Sequence, residues 1–171
     1  MNFETKTESD ELAACFDQYF VRVYNYIRLR VGDATLADDL TATVFEKALS
    51  ARVRFDPQRG SFQAWIFKIA HNTLNNHYRS IRPNLPLENQ PLRDQLPLPE
   101  ETVMQRQRDL TLLLAVQQLD ERERTLIALK YGAQLSNRQI AKMLHLRADH
   151  VGTLLYRALK HLRSVLMEMD V

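Results

Sequence analysis

The chain is poor in glycine and cysteine and contains no long apolar run. It has 4 glycines in 171 residues and only scattered β-branched runs, which favours a mostly helical protein. The single cysteine, Cys15, excludes an internal disulfide and suits a reducing cytoplasm. No apolar stretch is long enough to span a bilayer, and the polar, acidic first residues do not resemble a signal peptide. We therefore expect a cytoplasmic protein without membrane insertion.

The net charge of the chain is small, but charged residues are distributed unevenly along it. The net charge is +2, yet residues 51–82 carry +5 and residues 102–171 carry +4, while residues 1–50 carry −4 and residues 83–101 carry −3. Basic blocks attract phosphate chains, whereas ordinary solvated helix faces would explain the same values equally well. Charge alone therefore leaves nucleic-acid binding open.

Apolar periodicity predicts three helices in the first half of the chain, at about 8–31, 35–51 and 62–80. Thr35 with Asp38 is the expected capping box of the second helix, and Ser61 is the expected cap of the third. The three helices share one apolar side and predict a first domain.

A proline-rich stretch separates this domain from a second set of helices. Five of the six prolines lie between residues 83 and 99, which precludes a continuous helix there. Beyond it, Asp120 with Glu123 and Ser136 with Gln139 form capping boxes. The sequence therefore predicts an all-α protein of two small helical domains. The expected boundaries are 8–81 for the first domain, 82–100 for the linker and 101–168 for the second domain, with helices at 103–119, 121–131, 137–144 and 148–167.

The helix after Ser61 has two unlike faces. One is an apolar stripe that includes Trp65, Ile69 and Leu74. The other bears cations and amides and no carboxylate, and consists of Lys68, Asn72, Asn75, Asn76 and Arg79. Lys and Arg suit phosphates, and Asn suits base edges, so this face is predicted to meet nucleic acid.

Residues 135–162 have the spacing of a helix-turn-helix. Ala141 is small where the two helices would cross, and Leu146 would fill the turn between them. Such a unit can place its second helix in the major groove of DNA. An αα-hairpin within an ordinary bundle is the alternative, but the capping box at Ser136 and the turn spacing favour DNA binding.

Three stretches in a fixed order carry a family resemblance: ADDLTATVFEKAL, FDPQRGSFQAWIFKIAHN and LDERERTLIALKYGAQLSNRQIAKML. From about residue 11 to residue 166 the chain closely resembles the bacterial sigma factors of the extracytoplasmic-function group. The resemblance implies a factor that binds core RNA polymerase through the β′ clamp helices and the β subunit. It also implies reading of the −10 and −35 elements of promoter DNA, and control by an anti-sigma factor.

The resemblance assigns roles to three sets of residues. The polymerase-binding set on the second helix is Asp38, Asp39, Leu40, Val44 and Phe45. The −10 set comprises the loop and the helix after it, and consists of Phe55, Asp56, Arg59, Ser61, Lys68, Asn72, Asn75, Asn76 and Arg79. The −35 set lies on the helix-turn-helix and consists of Asn137, Arg138, Arg147, His150, Thr153, Tyr156, Arg157 and Lys160.

No enzymatic role is expected. The five histidines show no metal-ligand spacing, and no nucleophile motif is present, so we predict no catalytic residue, metal or cofactor. The family tends to have Lys and Arg where this chain has Gly152 and Leu154, so we expect a −35 contact of unusual sequence or reduced selectivity. Two alternatives remain: a helix-turn-helix regulator of duplex DNA, and a decoy that titrates an anti-sigma factor without starting transcription.

Overall fold

The computed structural model describes the backbone of residues 4–81 and 103–169 and the side chains of residues 17–81 and 105–169. All regular elements in these ranges are helical, which confirms the all-α prediction. The linker expected at 82–100 lies outside the described residues. The N-terminal domain contains α1 (Glu4–Val31), α2 (Ala34–Ala51), a 3-10 turn (Arg52–Arg54) and α3 (Phe62–Ile81). The C-terminal domain contains α4 (Val103–Gln118), α5 (Glu121–Ile127), a π turn (Ala128–Gly132), α6 (Asn137–Leu144) and α7 (Ala148–Met169).

Most helix starts follow the capping residues read from the sequence. Ser61 accepts from the Ala64 amide at 3.2 Å, and both capping boxes of the C-terminal domain are formed. The exception is α2, where the prediction of Thr35 as cap was wrong. Asp33 is the N-cap, and its carboxylate accepts from the Leu36 amide at 2.7 Å. Both residue types cap helices well, and Gly32, with φ +77°, turns the chain so that Asp33 is the one in extended backbone.

One apolar core runs through both domains. The buried side chains of α1, α2 and α3 form a single cluster with those of α5, the π turn and the helix-turn-helix. A smaller cluster joins α4 to α7 and to the end of α5 through residues such as Val116, Ile127 and Leu162. The sequence left the arrangement of the domains open, and in the structure they pack against each other.

Within the described residues, no helix is both long and apolar enough to cross a membrane.

Candidate nucleic-acid and polymerase interfaces

Four aromatic rings support the loop that precedes α3. Phe55 lies 5.2 Å from Trp65 and 5.7 Å from Phe62 between ring centroids, and Tyr19 of α1 lies 5.4 Å from Phe62. All four side chains are half-buried, so the cluster anchors the loop and keeps part of its ring surface open to solvent. Tilted and edge-to-face pairs such as these stabilise a local structure beyond the area that they bury.

The loop is held by its own polar groups. The Asp56 carboxylate accepts from the Gln58 amide at 2.9 Å and pairs with the Arg59 guanidinium at 3.2 Å. The backbone amide of Arg59 also donates to the Asp56 carbonyl at 3.0 Å, which closes a tight turn. Because Arg59 is exposed and its only carboxylate partner among the described residues is a neighbour in the turn, its charge stays at the surface.

The outer face of α3 is exposed along its whole length. Its members recur at intervals of three and four residues and all are solvent-exposed: Lys68, Asn72, Asn75, Asn76 and Arg79. Trp65 precedes Lys68 by three residues and Asn72 by seven, so helical geometry puts its half-buried ring at the edge of the same face. The structure therefore brings the predicted −10 helix residues together on one surface, with an aromatic ring beside them.

The predicted polymerase-binding residues of α2 divide into two groups. Asp38 and Asp39 are exposed. Leu40, Val44 and Phe45 are buried, with 8%, 0% and 5% of their surface accessible. The expectation that these three side chains contact a partner does not fit their burial, because they hold α2 against the rest of the domain. Sequence periodicity could not separate the two roles, since a docking helix and a core helix show the same apolar spacing.

Apolar side chains that the sequence interpretation omitted lie exposed near the same helix. Phe20 of α1 stacks on Phe45 with ring centroids 5.6 Å apart and keeps 46% of its surface accessible. Leu49, one turn beyond Phe45, is 45% exposed, and Val53 of the 3-10 turn is 89% exposed. Phe20 follows the apolar periodicity of α1, so the sequence predicts it as a core residue and gives no signal of its exposure.

The helix-turn-helix is formed as expected. α6 ends at Leu144, and His145 turns the chain in the left-handed conformation with φ 55° and ψ 42°. Leu146 is half-buried in the turn, while Val151 and Leu155 of α7 are buried across it with Ile140 and Ala141 of α6. The tight turn fixes the direction of α7 relative to α6.

The outward face of α7 carries most of the predicted −35 residues. Thr153, Tyr156, Arg157 and Lys160 share one side of the helix and are exposed, and His150 is exposed beside them. Tyr156 is 71% accessible, which is high for a large ring. Arg138 is exposed on α6.

Three members of the −35 set already form side-chain hydrogen bonds within the protein, and one of them is Thr153, which donates to the Asp149 carbonyl at 3.3 Å. Arg147 forms a two-pronged pair with Asp149, at 3.2 Å from Nε and 2.9 Å from Nη2, and its guanidinium holds the pKa of that carboxyl below its usual range. Asn137 is half-buried and accepts from Lys130 at 3.0 Å. The sequence places Asp149 on the outward face of the reading helix, but its pairing with Arg147 was not predicted.

Family comparisons match both domains. The model for Sigma-70 region 2 matches residues 15–83, and the model for Sigma-70, region 4, matches residues 109–162, together more than two thirds of the chain. The chain belongs to the extracytoplasmic-function sigma factors.

Curated relatives of this sigma factor carry the same group name. It is 32% identical to the ECF RNA polymerase sigma factor BldN of Streptomyces coelicolor over 93% of this chain, and spans 61% of that relative's length. It is 26% identical to the ECF RNA polymerase sigma factor SigW of Bacillus subtilis, over 96% of this chain and 93% of the relative.

Solved structures share the fold of this sigma factor. The sigma factor RpoE of Bartonella quintana, solved with the anti-sigma factor NepR, superposes with a TM-score of 0.72 at 15% identity, covering 92% of this chain and 97% of that one. CnrH, solved with the cytosolic domain of CnrY, superposes with a TM-score of 0.62 at 23% identity, covering 95% and 88%.

Proposed function

We propose that this chain binds core RNA polymerase in the cytoplasm, directs it to promoters through the −10 and −35 elements, and starts transcription of a specific regulon. The factor itself catalyses no reaction and needs no cofactor. The observation that carries the proposal is the outer face of α3, where five exposed cations and amides stand without a carboxylate beside a half-buried tryptophan. Membership of the ECF sigma factors supports the same conclusion.

The −10 element is read by α3 and by the loop before it. Exposed lysine and arginine side chains neutralise phosphates, and asparagine amides meet base edges or backbone oxygens. A base removed from the stack loses a few kcal/mol of stacking energy, roughly what an aromatic platform returns. The half-buried rings of Phe55, Phe62 and Trp65 lie beside the loop at 56–61 and supply such a platform.

The −35 element is read as duplex DNA by the exposed face of α7. Arg138, Arg157 and Lys160 bind phosphates, while Thr153 and His150 are near enough to the start of the helix to reach base edges. Arg147 is paired with Asp149, and Gly152 offers no side chain. We therefore assign most of the promoter choice to the −10 face and a less selective contact to α7.

Polymerase binds the exposed side of α2. Asp38 and Asp39 supply the charged contacts, and the exposed rings and aliphatic groups of Phe20 and Leu49 supply apolar area. The expected partners are the β′ clamp helices and the β subunit, and an anti-sigma factor competes for the free protein. The corresponding boundaries are 8–81 for the N-terminal domain, 82–100 for the linker and 101–168 for the C-terminal domain.

A reconstituted transcription assay tests the proposal. Core polymerase with this chain should yield a promoter-dependent transcript. Replacing Asn72 by alanine should lower open-complex formation about fivefold or more, because a specific base contact is worth about 1–3 kcal/mol. Gln107→Ala, an exposed amide change on α4, is the matched control and should leave the yield unchanged.

Three other outcomes would contradict the proposal. A duplex-DNA regulator would bind promoter fragments without polymerase and yield no transcript. A decoy would bind an anti-sigma factor and leave polymerase inactive. Equal transcript yields from the Asn72→Ala and Gln107→Ala chains would show that Asn72 on α3 does not contribute to promoter recognition.

A further inference from the structure

Arg147 and Asp149 form a pair at the start of α7, which we call the fork. Arg147 donates from Nε and Nη2 to the two carboxylate oxygens of Asp149, at 3.2 and 2.9 Å. In a helix-turn-helix, the N-terminal residues of the second helix are the ones that contact base edges in the major groove. The fork therefore lies where sequence is read.

The backbone of the first helical turn holds both members of the fork. The His150 amide donates to Oδ1 of Asp149 at 2.9 Å, which orients the carboxylate. The Arg147 carbonyl accepts from the amide of Val151 at 3.1 Å, and the Val151 side chain is fully buried in the core. Because a guanidinium is planar and rigid, two parallel bonds to an oriented carboxylate also fix the direction of its opposite end.

The pairing leaves that opposite end of the guanidinium available. An arginine side chain carries five N–H donors, and Asp149 takes one from Nε and one from Nη2. Among the described residues no other side chain accepts from Arg147, and 85% of its side chain is exposed. The remaining N–H groups of Nη1 and Nη2 run parallel to each other and match the O6 and N7 acceptors of guanine.

The same donors disfavour the other bases. Adenine places its N6 amino group, a donor, where guanine has O6, so one N–H group of Arg147 would face another donor. Thymine presents one acceptor beside a methyl group, and cytosine presents an amino donor. A guanidinium whose direction is fixed cannot turn to suit these patterns, so the fork should prefer guanine more strongly than a free arginine would.

The next positions on α7 offer little direct reading of their own. Gly152 has no side chain, and the Thr153 hydroxyl already donates to the Asp149 carbonyl at 3.3 Å. Arg157 and Lys160 are exposed two or more turns further along the helix, where point charges bind phosphates without sequence preference. Selective reading by α7 is therefore concentrated at the fork.

We propose that Asp149 is a positioning residue that presents Arg147 to a guanine, so that α7 reads one G·C base pair of the −35 element. This inference rests on the proposed function, which places α7 on duplex DNA. The carboxylate lowers the total affinity, because it adds a negative charge near the phosphates, and it restricts Arg147 to one base edge. α7 is thus weakly selective over most of the element and selective at one position.

Sequencing of the duplexes that the full-length chain selects tests the inference. The chain is mixed with duplexes that carry about ten randomised base pairs, one turn of the helix, and bound duplexes are recovered at low salt. One position should show guanine at least about fivefold above adenine, the lower end of the range for a two-bond base contact. A selected pool without such a position, or a chain that binds no duplex, would overturn the inference.

Substitutions in the fork separate base reading from binding in general. Arg147→Ala should abolish the guanine preference. Asp149→Asn should reduce the preference to about twofold or less, while binding the unselected pool at least as tightly as the unsubstituted chain does, because a repelling charge is lost. An unchanged guanine preference in Asp149→Asn would overturn the positioning role.

Two control variants change charge on α7 without touching the fork. Glu168→Gln removes one negative charge at the far end of the helix and should leave the guanine preference unchanged. Arg157→Ala should weaken binding to all duplexes alike and keep the preference, as expected of a phosphate contact. Loss of the preference in either control would overturn the inference.

Failure of the inference can be told apart from failure of the proposed function. A chain that yields transcript and selects no guanine would overturn the inference and leave the proposed function intact. A chain that yields no promoter-dependent transcript would overturn the proposed function, while the duplexes it selects would still report on the fork.

Discussion

The hydroxyl of Tyr26 lies 3.0 Å from Nδ1 of His71 and links α1 to α3 in the interior of the N-terminal domain. Burial raises the pKa of Tyr26 to about 12, so the phenol keeps its proton. Burial, with a smaller contribution from the nearby Arg30 charge, lowers the pKa of His71 below its ordinary value of 6.5. A protonated phenol and a neutral imidazole therefore share this hydrogen bond, and the imidazole tautomer decides which of them donates.

Because of this pair, we expect the folded protein to lose stability in mild acid. The folded state binds fewer protons at His71 than the unfolded state does, so its contribution is fully present above pH 6.5 and is lost as the pH falls through the lowered pKa. Urea denaturation between pH 7.5 and 5 should show a falling free energy of unfolding. His71→Gln, which can still hydrogen-bond the phenol, should reduce that dependence and leave the part that comes from His77, whose pKa burial also lowers. The exposed His150→Gln should not, and an equal slope in both variants would rule out His71 as the source.

Replacement of His145 by glycine should stabilise the protein. Its left-handed backbone is strained for a residue with a Cβ, and glycine adopts it without that penalty. His145→Gly should raise the free energy of unfolding by about 0.5–1 kcal/mol, less than the full strain because glycine also loosens the unfolded chain. Lys142→Gly, three residues earlier in regular helix, should lower it by a similar amount. Destabilisation by both changes in urea denaturation would contradict the strain argument.

Local chemistry explains which parts of the fold could be predicted from the sequence. Both capping boxes of the C-terminal domain, at Asp120 and Ser136, depend on residues three positions apart and were predicted correctly. The N-cap of α2 was predicted wrongly, because Asp33 and Thr35 are both residue types that cap helices well. Only the turn at Gly32 decides between them.

Long-range packing explains what the sequence could not predict. Gly132 and Arg30 take their roles from contacts with residues about a hundred positions away in the chain. In the sequence, Arg30 has the position of an ordinary cation in the last turn of a helix. For the same reason Phe45 could be read as a docking residue, since the pattern shows which face is apolar and not what covers it.

Asp149 predicts a gain in DNA affinity. Its carboxylate holds the Arg147 guanidinium at the start of α7 and adds a negative charge beside the proposed phosphate contacts. Asp149→Asn should tighten binding of a −35 duplex by up to about fivefold, a small effect because solvent screens a surface ion pair. Titration of labelled duplex at two salt concentrations measures this. Glu168→Gln, an exposed change at the far end of α7, is the control, and equal gains from both would assign the effect to net charge alone.

Replacement of the buried Arg30 by methionine should stabilise the folded protein. Methionine would fill similar space. It would also remove the Nε and Nη1 donors, which have no hydrogen-bond partner among the described residues, and each such buried donor costs about 1–3 kcal/mol. The substitution would also remove the cation–π contact between the guanidinium and the Tyr78 ring, whose centroid is 5.5 Å away. That contact is worth about 0.5–2 kcal/mol. The balance favours the variant by about 1 kcal/mol, so Arg30→Met should raise the free energy of unfolding in urea by roughly that amount. Arg122→Met, exposed on α5, should leave this value unchanged. A fall in the free energy of unfolding of Arg30→Met would mean that the stacked guanidinium stabilises the fold.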